Sequence, residues 1–213
     1  AQAWQECADA YVEDGDRMRW ARQLGNVADA YLGAGFITGD AAQVRQAVEA
    51  FDQALTFITR DNAEVDWLHD NNNLGSALLS LGSSTDDIAI LARAADIFRM
   101  LATIQTREAN PTEWERAQRS LAATLSGIGA RKSDPAVFAE AVAVNTELAE
   151  HVGRDADPKG WASLTNEVGY NLMLLGRANS DPAPIEKAVP LLRDVVQVQK
   201  QIAALPDVAF TED

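Results

Sequence analysis

Four of the chain's five tryptophans, Trp20, Trp67, Trp114 and Trp161, stand 47 residues apart. A strict period of that length leaves few folds open, because self-similar units must stack on one another to bury a core. Other columns keep the same step. Fifteen residues after each Trp comes a glycine (Gly35, Gly82, Gly129, Gly176). Twenty after comes an aspartate (Asp40, Asp87, Asp134, Asp181), and twenty-seven after an alanine (Ala47, Ala94, Ala141, Ala188). Four columns filled without a gap over four copies are not coincidence.

Each unit reads as two helices. In the first, apolar residues at +7, +11 and +14 from the Trp (Leu74, Leu78 and Leu81 in the second unit) form one stripe at helical spacing. The repeated glycine follows the last of them, where a left-handed residue that ends a helix is expected. The aspartate is the expected N-cap of the second helix. Pro135 and Pro182 follow it in units three and four, at a first helical position that suits proline. The second helix carries apolar residues such as Leu91, Ala94, Ala95, Phe98 and Leu101. It should run to about +40, placing Arg60, Arg107 and Arg154 at the negative end of its dipole. Asn110 with Glu113 approximates a capping box at the next entry.

Leu74-Gly75, Leu78, Ala94, Phe98 and Leu101 together resemble the signature of the tetratricopeptide (TPR) family. The resemblance covers about residues 17 to 206. It implies an all-α solenoid of antiparallel helix pairs, a right-handed superhelix of about nine helices. Small residues at +8 (Ala28, Gly75, Ala122, Gly169) are expected to face the alanine at +27. The unit is longer than the family's usual 34 residues, Asn145 replaces the expected Phe, and Pro190 should kink the last helix. HEAT and armadillo repeats share the period but explain the Gly–Ala pair less well. Long units of this kind are similar to bacterial TPR arrays joined to signalling or protease-like effectors.

The expected boundaries are 17–63, 64–110, 111–157 and 158–205, with 1–16 as the second helix of a preceding unit and 206–213 as a tail. Trp4 and Cys7 then fall at core positions, and the chain reads as a piece of a longer protein. The apolar last helix, with Leu191, Leu192, Val195, Val196 and Ile202, favours self-association through the ends.

Chemistry is sparse. The chain has two histidines and one cysteine, so no disulfide and no cysteine metal cluster is expected. Glu147 and His151 form an i,i+4 pair without an evident third ligand, and read as an exposed pair. The repeated glycines form no phosphate loop. No enzyme, metal or cofactor is expected. The net charge of −14 repels nucleic acid and anionic membranes. It would attract a basic partner, although solubility alone accounts for it. No apolar run is long enough to span a membrane, and the expected location is the cytoplasm.

In the TPR family the first helices line a concave groove that holds a peptide or a partner's helix. Carried to this chain, the resemblance implies Arg22 and Asn26 from unit one, and His69, Asn72 and Asn73 from unit two. Unit three supplies Arg116 and Arg119, and unit four Ser163, Asn166, Tyr170 and Met173. Asn26 and Asn73 occupy the position at which peptide-binding members hold a peptide backbone; Ser120 and Glu167 replace it in the other two units. The expected role is a non-enzymatic interaction scaffold. The alternative is a structural or regulatory segment contacting a neighbouring domain of a larger effector.

Overall fold

A computed structural model describes residues 16–204. All regular structure among them is α-helical: α1 (Arg17–Thr38), α2 (Ala41–Ala54), α3 (Arg60–Thr85), α4 (Ile88–Ile104), α5 (Pro111–Lys132), α6 (Pro135–Val152), α7 (Pro158–Asn179) and α8 (Pro182–Ala203). The ninth helix expected on residues 1–16 lies outside the described residues. The odd-numbered helices end at Thr38, Thr85, Lys132 and Asn179, each 47 residues after the last, and their partners begin 47 apart at Ala41, Ile88, Pro135 and Pro182. Consecutive helices pack in pairs, α1 on α2, α3 on α4 and α7 on α8; α3 also lies on α2, and α7 on α6. The chain forms two compact units, one through Ser120 and one from Leu121.

The aspartate column caps the second helices. Asp40 Oδ1 accepts from the Ala42 N–H at 2.8 Å, Asp87 from Ala89 at 2.9 Å, Asp134 from Ala136 at 2.9 Å and Asp181 from Ala183 at 3.0 Å. The glycine column behaves otherwise than expected. Gly35, Gly82, Gly129 and Gly176 lie inside their helices, which continue for three more residues. The left-handed position falls four residues later, at Gly39, Asp86, Ser133 and Ser180. The glycines are there for space. A Cβ at Gly35 would sit 2.7 Å from Val44, at Gly82 2.8 Å from Leu91, at Gly129 2.5 Å from Phe138 and at Gly176 2.6 Å from Ile185.

The +8 residues differ from expectation too. A Cβ on Gly75 would meet the Phe98 ring at 2.8 Å, and one on Gly169 would meet Leu192 at 2.6 Å. The antiparallel register therefore pairs +8 with +31 and +15 with +24, not +8 with +27. The +27 alanines are buried all the same. In the third hairpin the +31 residue is Asn145, buried and bonding back through Nδ2 to the Ala141 carbonyl at 2.9 Å. An amide fits this place because the helix's own backbone satisfies its donor.

The arginines near +40 do not end helices. Arg60 opens α3 and pairs with Glu64 at 2.9 Å. Arg107 and Arg154 lie beyond α4 and α6, over the rings of Trp114 and Trp161 at 6.0 and 5.1 Å. Each holds the entry to the following helix by a cation–π contact. α2 stops at Ala54, and Phe57 and Ile58 fold down instead; Phe57 meets Trp20 edge-on, with centroids 5.3 Å apart. Helix α8 continues through Pro190, whereas the break in helical geometry falls at Ala63 in α3 (φ −159°, ψ 66°). In place of an Asn110–Glu113 capping box, Glu113 binds Arg116, and a box forms at Thr59, whose N–H donates to Asn62 Oδ1 at 2.8 Å.

Candidate partner-binding groove

Helices α1 and α3 and the start of α5 surround two depressions in the first unit. One, about 280 Å³, lies between α1 and α3 and is lined by Arg22, Gln23, Gly25, Asn26, Asp29, Ile58, Asp66, His69 and Asp70. The other, about 320 Å³, is lined by Val65, Leu68, His69, Asn72, Asn73, Leu101, Gln105, Glu113, Arg116 and Ala117. His69 belongs to both. Six of the residues expected in a groove thus converge here: Arg22, Asn26, His69, Asn72, Asn73 and Arg116. A third depression, about 420 Å³ and mostly apolar, runs along α1 and α2 past Val27, Ala30, Tyr31 and Ala34.

The polar groups form a network centred on Asp29. Asn73 Nδ2 donates to Asp29 Oδ1 at 2.7 Å, and His69 Nε2 meets Asp29 Oδ2 at 2.9 Å. With Nε2 donating to the carboxylate, the histidine holds Asp29 from one side and the amide from the other. Asn72 Nδ2 donates to Asn73 Oδ1 at 3.3 Å. Arg22 pairs with Asp66 at 2.7 Å, bridging α1 and α3. Asn73 is therefore engaged within the protein, whereas Asn26 is exposed and has no hydrogen bond among the described residues.

Asp70 is the outlier. It stands at +3 from Trp67, a column filled by buried Ala117 and Leu164 in the next two hairpins, and is itself only 3% exposed. Its Oδ2 has no hydrogen-bond partner. The carboxyl rests against Gly25, where a Cβ would come within 3.0 Å of Oδ1. Burial, together with neighbouring Asp29 and Asp66, pushes its pKa up to about 6 against the lowering influence of His69. Sequence reading passed over it. The signal was present as a charge where the next two hairpins carry Ala117 and Leu164 and the first carries the neutral Gln23.

The remaining expected residues are not among those that line these depressions. Arg119, on α5, pairs with Glu115 at 2.7 Å. Asn166 and Tyr170 lie exposed on α7 in the second unit. Among the described residues no group of three His, Cys, Asp or Glu side chains could hold a metal ion. No described helix is long and apolar enough to cross a membrane.

These features define an all-helical protein of repeated hairpins with a polar, acid-lined recess on its first helices. No protein-family model matches the chain, and no curated protein matches it. Solved structures similar to it include "DHF58 filament", 15% identical over 87% of this chain and 95% of that one, with a TM-score of 0.44. "Crystal structure of de novo designed helical repeat protein DHR64" is 14% identical over 89% of this chain and 97% of that one, with a TM-score of 0.43. "DHF119 filament" is 16% identical over 91% and 99%, with a TM-score of 0.39.

Proposed function

We propose that the chain is a TPR-like interaction module whose first helices hold an extended peptide or a helix of a partner protein. The observation that carries this reading is the convergence of Asn26, His69, Asn72, Asn73 and Arg116 around two adjoining depressions. Amides offer donor and acceptor together, which suits the alternating groups of an extended backbone. Asn26 is the freest of them, and Asn73 would exchange its bond to Asp29 for one to the peptide. Arg119, Asn166 and Tyr170 are assigned to the same role on their repeat positions alone. The acidic charge favours a basic partner over nucleic acid or an anionic membrane.

The test is selection of peptides from a random display library on the immobilised 213-residue chain, followed by calorimetry of the enriched sequences. Asn26→Ala combined with Arg116→Ala should weaken those peptides at least tenfold, about 1.4 kcal/mol. Unchanged affinity, or no enrichment, would overturn the reading. A second reading, contact with a neighbouring domain or a second copy through an end, is favoured by Val189 and Val196, exposed on α8. A sedimentation profile that stays monomeric at high concentration would remove its self-association form.

A further inference from the structure

We infer that the depression between α1 and α3 is a cation pocket, receiving the ammonium or guanidinium end of a basic side chain presented by a partner protein. Three carboxylates line it, Asp29, Asp66 and Asp70, against one permanent cation, Arg22. Three carboxylates against one guanidinium leave acidic groups in excess at the site. Their existing partners divide them. Asp66 is matched by Arg22, and Asp29 by Asn73 and His69. Asp70 is left over: almost wholly buried, at the edge of the cavity, with Oδ2 unbonded. A buried carboxylate without a donor is costly, and such groups are normally satisfied by hydrogen bonds or paired with an opposite charge.

An organic cation fits better than a metal ion. The carboxylates are spread over two helices, and no three metal-ligating side chains come together among the described residues. A volume of about 280 Å³ also exceeds what one ion requires. An ammonium carries three donors and a guanidinium five, enough to bond Asp70 and reach Asp29 or Asp66 at once. The Arg22 side chain is more than half exposed, so its pair with Asp66 lies at the surface of the site. The source of the cation rests on the groove reading; the cation preference rests on the pocket alone.

The test is carboxyl-carbon NMR of the full chain titrated with N-acetyl-lysine N-methylamide and N-acetyl-arginine N-methylamide. N-acetyl-norleucine N-methylamide is the neutral control. The charged probes should move the Asp29, Asp66 and Asp70 resonances together. At saturation they should lower the proton affinity of Asp70 about tenfold, since a bound cation favours its ionised form. Asp70→Asn should abolish binding while Asp96→Asn, an exposed aspartate on α4, leaves it intact. Asp29→Asn serves as the second variant should the first fail to fold. Equal response to the norleucine probe, unchanged affinity in Asp70→Asn, or no response to any probe would overturn the assignment. These blocked residues are too short to need the groove, so a failed peptide selection leaves this measurement standing.

Discussion

Replacing Asp70 by Asn should make the protein more stable at neutral pH and less sensitive to pH. A carboxyl whose pKa is higher in the folded than in the unfolded state binds more protons when folded, at every pH between the two values. Stability therefore declines as pH rises from about 4 through about 6 and stays low above that. For Asp70 the ordinary value is 3.8 and the folded value about 6. At 1.36 kcal/mol for each tenfold change in proton affinity, the ionised carboxylate costs about 3 kcal/mol at pH 7. An Asn side chain resembles the protonated acid in shape and charge, so the variant escapes this cost. The groups facing the position are Asp29 and Arg22 on α1 and Asp66 and His69 on α3; all remain in the variant. Urea unfolding of both proteins from pH 4 to pH 8, followed by far-UV circular dichroism, measures the effect. The difference between variant and wild type should be near zero at pH 4 and grow to about 1–3 kcal/mol by pH 7. A difference independent of pH, or a variant less stable at pH 7 than at pH 4 relative to wild type, would refute the placement of Asp70.

Two glycines of α-helices should respond in opposite directions to alanine. At Gly176 the new methyl would meet the Asp181 carbonyl oxygen at 2.8 Å and Ile185 at 2.6 Å; overpacking of about 1–3 kcal/mol outweighs the gain in helix propensity of about 1 kcal/mol. At Gly33 nothing lies within 4 Å, so Gly33→Ala should stabilise by up to about 1 kcal/mol; equal melting temperatures for the two variants would contradict both. Ala141→Leu, at a fully buried site on α6, should cost about 1–3 kcal/mol in a denaturant titration. Arg154→Ala removes the cation over Trp161 and should cost about 0.5–1 kcal/mol, with a change in tryptophan emission absent from Arg193→Ala as control.

Much of the architecture was legible because its signals are local and repeated. Apolar spacing declares a helix, and the capping aspartate declares where the next one starts; both act within a turn or two of chain, so four copies of the same text give four hairpins. The glycine column shows where that reasoning stops. A glycine late in a helix is compatible with a terminator or with a close contact, and only the approach of Val44, Leu91, Phe138 and Ile185 decides for contact. The register of α1 against α2 likewise depends on side-chain volumes across the pair.

The recess was legible only in its ingredients. Arg22, Asn26, His69, Asn72, Asn73 and Arg116 were named because the TPR resemblance implies groove positions on the first helices. That Asn73 is occupied by Asp29, that Arg22 answers Asp66, and that Asp70 is left without a partner were not readable. Those contacts join residues about 40 apart in sequence. The sequence by itself determined that this chain is built of recurring helix pairs, since periodic burial and capping act within each copy. Only the tertiary structure decided which charges meet, because the energy of a carboxylate depends on distances between helices that no single repeat encodes.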